Sequence, residues 1–234
     1  SESALDEDSA ANEAALLDAA LTHVAFDGWS KATFDAAIAD IGMEPALADA
    51  LCPRGAVDLA VAFHKRGDVE MLERFATQDV SELRYSQKVA ALVRFRLEAC
   101  NDKETVRRGT SLFALPQYAG TGAELIWGTC DAIWTALGDN SEDFNWYTKR
   151  ATLSGVYGST VLFWLGDDSE GYEKTWDFLD RRINDVMQVE KLKAQINDNP
   201  LLKPLMTGPN WLGKQIRAPM RKPRTDWPMG ASGS

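Results

Sequence analysis

Apolar residues recur at helical spacing along most of this 234-residue chain, and no segment shows the alternation of a half-buried strand. Leu17, Leu21 and Val24 share one face of a first helix, and Phe34 and Ile38 share one face of a second. Turn-forming segments such as "NDKE", "LPQYAGTG", "GDNSED" and "GDDSEG" separate the later helices. The pattern therefore predicts an all-α protein.

Capping residues indicate where the early helices begin and end. Ser30 is placed to cap the second helix and Gly42 to end it, whereas Pro45 opens a short third helix that Pro53 stops. A longer helix is predicted from about Gly55 to Ala76. Beyond it the spacing predicts helices near 81–101, 103–115, 120–137, 143–166 and 170–193.

Charge is distributed unevenly along the chain. Residues 1–60 hold twelve acidic residues against only Lys31 and Arg54, which accounts for the whole net charge of −10. Residues 203–226 carry six basic residues against Asp226 alone. One end of the chain therefore repels polyanions, and the other attracts them.

Neither terminus shows a targeting or membrane-spanning segment. No apolar run approaches the roughly 18 to 20 residues that a membrane span needs. The acidic stretch "SESALDEDSAANE" resembles neither a signal peptide nor an Arg-rich transit peptide. These features predict a cytoplasmic protein.

The sequence offers no pattern that would support catalysis or metal binding. Cys52, Cys100 and Cys130 are widely spaced, which favours buried reduced thiols over a disulfide framework or a zinc site. His23 and His64 lie in no ExxH or HExxH pattern. There is no GxSxG, phosphate-binding loop or dinucleotide fingerprint. We therefore predict a protein that is not an enzyme, with no catalytic residue, metal or cofactor of its own.

The helix expected at 143–166 carries two distinctive faces. A stripe of mostly large residues comprises Trp146, Leu153, Tyr157, Thr160 and Trp164, and a strip of small residues comprises Ala151, Ser154, Gly155, Gly158 and Ser159. The small strip has two interpretations. It could allow close packing against another helix, or it could leave a cavity that the large side chains enclose.

The N-terminal stretch "LLDAALTHVAFDGWSKATFDAAIADIGMEPALADALCPRGAVDLAVAF" resembles the N-terminal domain of TetR-type regulators in the order and spacing of its helices. The helix at the position of the DNA-recognition helix carries Glu44 and Asp49 and has no basic residue before Arg54. Helix-turn-helix proteins anchor on phosphates through Lys, Arg and helix N-termini. We therefore predict that this domain keeps the shape of a DNA reader without binding nucleic acid. A TetR-type ligand-responsive DNA-binding transcriptional regulator remains the alternative.

The segments "DFNWYTKRATL" and "TWDFLDRRINDVM" resemble the Coq-nine family of ubiquinone-biosynthesis accessory lipid-binding proteins, over about residues 14–193. The resemblance implies a TetR-like helical fold, with an N-terminal helix-turn-helix-type three-helix domain and a larger C-terminal helical ligand-binding body. It also implies a homodimer that holds an isoprenoid quinone precursor and presents it to the demethoxyubiquinone hydroxylase (Coq-seven type). The expected location is then peripheral to the inner membrane, on the matrix side if the source is eukaryotic.

The resemblance implies sites for lipid and for a protein partner. The residues predicted to bind lipid are Phe113, Leu125, Ile133, Trp146, Leu153, Ser154, Tyr157, Gly158, Val161, Trp164, Trp176 and Leu179. The family's partner surface corresponds to "AELIWGTCDAIWTALGD", where Trp127, Asp131 and Trp134 lie together at helical spacing. Tryptophans at this spacing also pack in protein cores, whereas an exposed pair would form a binding hot spot. With the resemblance we favour the hot spot, above all at Asp131 and Trp134.

A basic amphipathic segment near the C-terminus is predicted to bind the membrane surface. In "PNWLGKQIRAPMRK" the candidate residues are Trp211, Leu212, Lys214, Ile216 and Arg217. Nearby prolines leave a disordered tail as the alternative. The predicted organisation is an acidic disordered N-terminus at 1–11, the helix-turn-helix-like domain at 12–55, the lipid-binding and dimerisation domain at 56–195 and the tail at 196–234.

Overall fold

The structure, a computed structural model, describes residues 2–139 and 144–201, with the side chains of residues 3–139 and 147–201. Within these ranges all regular structure is helical, which confirms the predicted all-α class. The helices are α1 (Glu2–Asp27), α2 (Lys31–Ile41), α3 (Pro45–Leu51), α4 (Ala56–Thr77), α5 (Tyr85–Glu98), α6 (Lys103–Phe113), α7 (Ala119–Ala136), α8 (Phe144–Leu165) and α9 (Glu173–Asp198), with a short 3-10 turn at Glu170–Tyr172.

The predicted caps of α2 are present. The Ser30 hydroxyl accepts a hydrogen bond from the Thr33 amide at 3.3 Å, and Gly42 ends the helix in the left-handed region with φ 61°. Pro45 occupies the first turn of α3. Sequence therefore locates the turn between α2 and α3 correctly, because each boundary depends on a local backbone requirement.

The first helix begins earlier than predicted. Residues 1–11 were expected to be disordered, but α1 starts at Glu2. Residues 3–11 are all exposed, so packing does not explain this extension. Its alanines are strong helix formers, and its acidic residues lie at the positive end of the helix dipole.

Two later helices also differ from prediction at their starts. The Asp79 carboxylate accepts hydrogen bonds from the Ser81 amide and hydroxyl, at 3.1 and 2.7 Å, and this turn delays α5 to Tyr85 instead of residue 81. Gly171 and Tyr172, with φ 60° and 56°, break the chain before α9, which begins at Glu173 instead of 170. The same helix runs to Asp198, so residues 196–198 belong to it and not to the tail.

Asp167, in the turn-forming segment "GDDSEG", holds the chain at the start of α9. Its buried carboxylate accepts hydrogen bonds from the Ser169 amide at 2.9 Å and from the Thr175 amide and hydroxyl at 3.0 and 2.6 Å. Burial acts to raise the pKa of Asp167, but these hydrogen bonds outweigh it and hold the pKa far below the usual range. The carboxylate is thus fully used in anchoring the start of α9.

Apolar side chains form two separate cores. The first joins α1, α2 and α3 to the start of α4 through residues such as Leu16, Phe34 and Leu59. The second joins the rest of α4 to α5, α7, α8 and α9 through residues such as Leu92 and Leu179. Helix α4 contributes to both cores and connects the N-terminal three-helix unit to the larger body.

The α4–α5 contact includes a close approach at Gly67. A Cβ atom at this position would lie 2.5 Å from Cζ and 2.9 Å from Nη2 of Arg96. The Arg96 guanidinium therefore rests directly against the α4 backbone, where only glycine leaves enough room.

No helix in the described part of the chain is long and apolar enough to cross a bilayer.

Candidate ligand cavity

A cavity of about 480 Å³ lies among α4, α5, α6, α7 and α8. This volume falls within the roughly 300 to 1,000 Å³ that is usual for small-molecule sites. Its walls are mainly apolar, and residues that form them include Trp29, Phe63, Leu97, Val106, Phe113, Leu125, Ile126, Tyr157, Gly158, Val161 and Leu162. The arrangement suits a ligand with a large apolar part.

The cavity has an exposed side and a buried side. On the exposed side, Leu162 lines the cavity and is 62% exposed. Thr110, Ala114 and Ala119, on α6, α7 and the connection between them, also line the cavity and are exposed. Arg96 and Tyr157 also line the cavity but are only 2% and 4% exposed. A ligand would therefore enter beside α6, α7 and Leu162 and reach Arg96 and Tyr157 at the inner end.

The structure brings five of the predicted lipid-binding residues together at this cavity. They are Phe113, Leu125, Tyr157, Gly158 and Val161. Gly158 has no atom within 4 Å of where a Cβ would be, so the small residue leaves open space at the wall. Of the two interpretations of the small strip, Gly158 favours the lined cavity.

Most of the other predicted lipid-binding residues lie elsewhere. Ile133, Leu153, Trp164, Trp176 and Leu179 pack in the core of the body, because their helix faces point to neighbouring helices. Leu153 also lines a second space of about 180 Å³ between α5, α7, α8 and α9. The Ser154 hydroxyl donates to the Arg150 carbonyl at 2.7 Å. The Trp146 side chain lies outside the described residues.

A buried polar network forms the inner end of the cavity. Arg96 Nε donates to Asp68 Oδ1 at 2.8 Å, and Arg96 Nη2 donates to the His64 carbonyl at 2.8 Å. Arg96 Nη1 lies 3.1 Å from Cys100 Sγ. Thr129 donates from its hydroxyl to Asp68 Oδ1 at 2.6 Å. The network thus ties α4, α5 and α7 together behind the apolar walls.

His64 is neutral in this network. Its Nε2 lies 2.9 Å from the Thr129 hydroxyl and 3.2 Å from the Leu125 carbonyl oxygen. Because a carbonyl oxygen can only accept a hydrogen bond, Nε2 carries the proton. Burial lowers the pKa of His64 to about 4, with a further lowering from Arg96, and Asp68 and the Leu125 carbonyl oppose the shift. At neutral pH the imidazole is therefore uncharged.

This network was not predicted from the sequence, although one residue of it signals a buried polar contact. Arg96 lies on the apolar face of α5, because Leu92 precedes it by four residues and Cys100 follows it by four. A lone charge on such a face requires a buried partner. The partner cannot be read from the sequence, since Asp68 is 28 positions away on another helix.

The three cysteines are free and buried, which confirms the predicted reduced thiols. Burial raises the pKa values of Cys52 and Cys130 to about 12. Within residues 2–139 and 144–201, no group of three His, Cys, Asp or Glu side chains is arranged to hold a metal ion.

The predicted partner residues lie on α7, and each is partly buried. Trp134 donates from Nε1 to the Lys149 carbonyl at 3.1 Å, and its ring packs 5.9 Å from that of Tyr85. Asp131 accepts from Arg150 Nε at 2.7 Å, and the Trp127 ring lies 6.3 Å from that of Tyr147. Trp134, the favoured hot-spot tryptophan, is therefore anchored against the core of the body, which supports core packing for this residue.

The α2–α3 unit presents acidic side chains to solvent. Asp35, Asp40, Glu44 and Asp49 are all exposed. The basic residues Lys31 and Arg54 pair with Asp35 and Asp58, at 2.5 and 2.9 Å. A phosphate backbone approaching this face would meet mainly like charge.

The overall architecture is a TetR-like fold. The TetR transcriptional regulator from Nitrosomonas europaea ATCC 19718 has a similar structure, with a TM-score of 0.60 over 74% of this chain and 95% of that chain. The two are 20% identical, so the likeness concerns the fold alone.

The C-terminal half of the chain is similar to a known family. Residues 119–190, which hold α7, α8 and much of α9, match the sequence model of the COQ9 family. The chain is also similar to two curated relatives that are both called "Ubiquinone biosynthesis protein COQ9, mitochondrial". The protein from Rattus norvegicus is 43% identical over 89 residues, and the one from Drosophila melanogaster is 31% identical over 187. The resemblance to the COQ9 family predicted from the sequence is confirmed by the family model over residues 119–190 and by these relatives.

These alignments cover 38% and 78% of this chain, but only 28% and 57% of the rat and fly proteins. The chain therefore spans little more than half the length of the fly protein and under a third of the rat protein. The predicted membrane residues Trp211, Leu212, Lys214, Ile216 and Arg217 lie outside the described residues.

Proposed function

We propose that this chain is an accessory protein of ubiquinone biosynthesis that binds an isoprenoid quinone precursor and presents it to the demethoxyubiquinone hydroxylase. The observation that carries the proposal is the mainly apolar cavity of about 480 Å³ in a chain whose residues 119–190 match the COQ9 family model. Burial of apolar surface contributes about 25 cal/mol per Å², so an isoprenoid precursor favours the bilayer. A protein that delivers its ring to an enzyme must offer a comparable apolar environment.

The shape of the cavity supports a ligand with a long tail. Its outer end is marked by Leu162, and Leu115 nearby on the α6–α7 connection is also exposed. A chain too long for the cavity would extend past these residues towards the membrane. The hydroxylation itself is assigned to the partner enzyme, and this chain supplies binding and orientation.

Replacing Gly158 with phenylalanine tests the proposal. The new ring would project from a site with no neighbour within 4 Å, and would occupy ligand space without displacing the core. We expect ligand occupancy to fall at least about tenfold, because a steric clash in the pocket acts directly on affinity. Native mass spectrometry of the purified protein, with mass spectrometry of its organic extract, measures the loss.

The matched control is Gly128→Phe on α7. A Cβ at Gly128 also meets no atom within 4 Å, but Gly128 does not line the cavity. This variant should retain the parent's ligand. The proposal fails if the parent protein carries no isoprenoid and takes up no quinone analogue when one is offered. It also fails if the two glycine variants bind alike.

The partner proposal places the hydroxylase contact on α7 around Trp127 and Asp131. Trp127→Ala is expected to weaken the complex by about 2 kcal/mol, or roughly thirtyfold, as for other aromatic hot spots. Biolayer interferometry with purified hydroxylase measures the change. Phe26→Ala on α1, which removes an aromatic side chain 85% exposed, serves as the control and should bind normally. Equal affinities for both variants would place the contact elsewhere.

Homodimerisation is also proposed, and apolar side chains on the outside of α9 support it. Met187, Val189 and Leu192 are all exposed, which favours a covering partner such as a second copy of the chain. Sedimentation velocity tests this directly, since a monomer at micromolar concentration would contradict the proposal.

Membrane association is proposed for the segment that contains Trp211, Lys214 and Arg217. Each cation near an anionic surface contributes about 1 kcal/mol, so binding is expected to be weak and reversible. Flotation with anionic vesicles at low and high salt provides the test. Binding that is absent at low salt would exclude a membrane role for this segment. We propose a location on the membrane periphery, in mitochondria if the source is eukaryotic.

The alternative of a DNA-binding regulator is disfavoured by the exposed acidic side chains of α2 and α3. Retarded migration of duplex DNA with this protein at low salt would revive it.

A further inference from the structure

The smaller apolar space between α5, α7, α8 and α9, of about 180 Å³, is separate from the ligand cavity. Four residues that are at most 7% exposed form its floor: Val89, Leu153, Val156 and Ile183. Met187 on α9 also lines this space and is 38% exposed, so the space reaches the surface there. Helix α8 divides it from the larger cavity, because the successive residues Val156 and Tyr157 lie on different sides of the helix. We call this space the α9 pocket.

The size of the α9 pocket limits what it can hold. An apolar cavity of about 150 Å³ binds one benzene ring, so a space of about 180 Å³ matches a single large apolar side chain. The enclosed volume is less than half that of the ligand cavity. The pocket is therefore a socket for one side chain and not a second site for a ring with a long tail.

Charged side chains at the edge of the α9 pocket favour a cationic neighbour for that side chain. Lys149 is already neutralised, because its Nζ lies 2.8 Å from the Asp139 carboxylate. Glu190 lines the pocket from α9 and is exposed, with Lys193 Nζ 3.5 Å from its Oε1. An apolar side chain with a cation close behind it in sequence would thus meet both an apolar floor and an accessible carboxylate.

The chain changes direction directly after α9. Asn199 Oδ1 accepts a hydrogen bond from the Leu201 amide at 3.0 Å, which forms an Asx turn where the helix ends. Glu190, at the pocket edge, precedes Leu201 by eleven residues, or about 16 Å of helix at about 1.5 Å per residue. Trp211 follows Leu201 by ten residues, which span up to about 33 Å when extended. A chain that runs back beside α9 therefore reaches the pocket.

From these observations we propose that the α9 pocket holds the Trp211 indole of the same chain, with Lys214 beside Glu190. Trp211 is the first aromatic residue after Leu201, and Lys214 follows it by three positions. An aromatic side chain buries about 150 to 250 Å², which offsets the entropic cost of closing a short loop.

Docking of Trp211 would regulate membrane binding. Trp211 and Lys214 belong to the segment proposed to bind an anionic surface, and one indole cannot lie in the pocket and in a bilayer at the same time. The α9 pocket therefore holds the segment until a membrane competes for it. This consequence rests on the proposed membrane role, whereas the docking itself does not.

Hydrogen exchange of the full chain, followed by mass spectrometry of peptides that cover residues 205–216, tests the docking. In the parent these amides should exchange at least about tenfold more slowly than in Trp211→Ala, since a docked segment exchanges mainly through its undocked form. Thr152→Phe places a ring in the pocket from the α8 wall and should accelerate exchange to the same extent. Gly128→Phe lines neither space and should exchange as the parent does.

Three results would overturn the docking. Equal exchange in the parent and in Trp211→Ala would show that the indole does not dock. Acceleration in Trp211→Ala, but neither in Thr152→Phe nor in Ser86→Leu, which fills the pocket from α5, would place the indole on another surface. Protection that is lost on dilution would assign the docked segment to a second copy of the chain.

Flotation with vesicles of phosphatidylglycerol and phosphatidylcholine separates this inference from the proposed function. Thr152→Phe should bind these vesicles more tightly than the parent, by about the factor by which its exchange is accelerated, because a larger fraction of the segment is free to bind. Equal binding by the two proteins would overturn the competition. Absence of vesicle binding by both, with the exchange differences intact, would overturn the membrane role and support docking as the function of the segment.

Discussion

Replacing Arg96 with methionine is expected to lower the free energy of unfolding by about 3 to 5 kcal/mol, the usual cost of removing one partner from a buried ion pair. The Arg96 side chain is 2% exposed and contacts Asp68, the His64 carbonyl and Cys100. Methionine fills much of the same volume as arginine. The decrease in the free energy of unfolding therefore measures the lost polar contacts and the cost of leaving the Asp68 carboxylate without its cation. Urea unfolding followed by circular dichroism provides the measurement.

Two further variants make this test specific. Arg94→Met changes a half-exposed arginine on the same helix that pairs with Glu98 at 2.8 Å, and it should cost less than about 1 kcal/mol. Adding Asp68→Asn to Arg96→Met removes the stranded charge, so the double variant should recover part of the lost stability. Equal losses for Arg94→Met and Arg96→Met would show that the buried network is not a major source of stability.

The second large effect concerns pH. We expect the free energy of unfolding to fall by about 3 kcal/mol through His64 as the pH drops from about 6.5 to 4. The folded pKa of His64 is about 4, against 6.5 for an ordinary histidine. Within this window the unfolded chain binds the proton and the folded protein does not, so acid favours unfolding. The loss is complete below the folded pKa.

His64→Gln isolates this contribution. Glutamine Nε2 can still donate to Thr129 or to the Leu125 carbonyl, and the side chain does not titrate in this range. Unfolding by urea at several pH values should give a shallower dependence for the variant than for the parent between pH 6.5 and 4. Carboxyl groups that titrate near pH 4 contribute to both proteins and cancel in the difference. Parallel curves would contradict a neutral buried imidazole.

The features of the fold that sequence predicted are those that depend on local chemistry. Ser30, Gly42 and Pro45 fix the α2–α3 turn through backbone geometry, and the apolar spacing places most later helices. The start of α1 was missed because its acidic residues suggested disorder, whereas its alanines favour a helix without any packing. The start of α5 depends on the Asp79 turn, which the apolar spacing does not reveal.

The candidate site was predictable only in part, because periodicity identifies the buried face of a helix but not what that face meets. Tyr157 and Gly158 meet open space, whereas Leu179 and Ile133 meet other helices. The polar network could not be predicted from the sequence, because its members lie far apart along the chain. His64 and Thr129 are 65 positions apart, and only the packing of α4 against α7 brings them together.

The contact between Gly67 and Arg96 also has a mechanical consequence. The guanidinium lies against the α4 backbone and bonds to Asp68 and to the His64 carbonyl, so α4 can neither slide along α5 nor turn about its own axis without breaking these bonds. The two helices therefore move as one rigid body. Since α4 also carries Ala56 and Leu59 in the N-terminal core, a displacement imposed at the cavity wall is transmitted to the first three helices instead of being absorbed between α4 and α5.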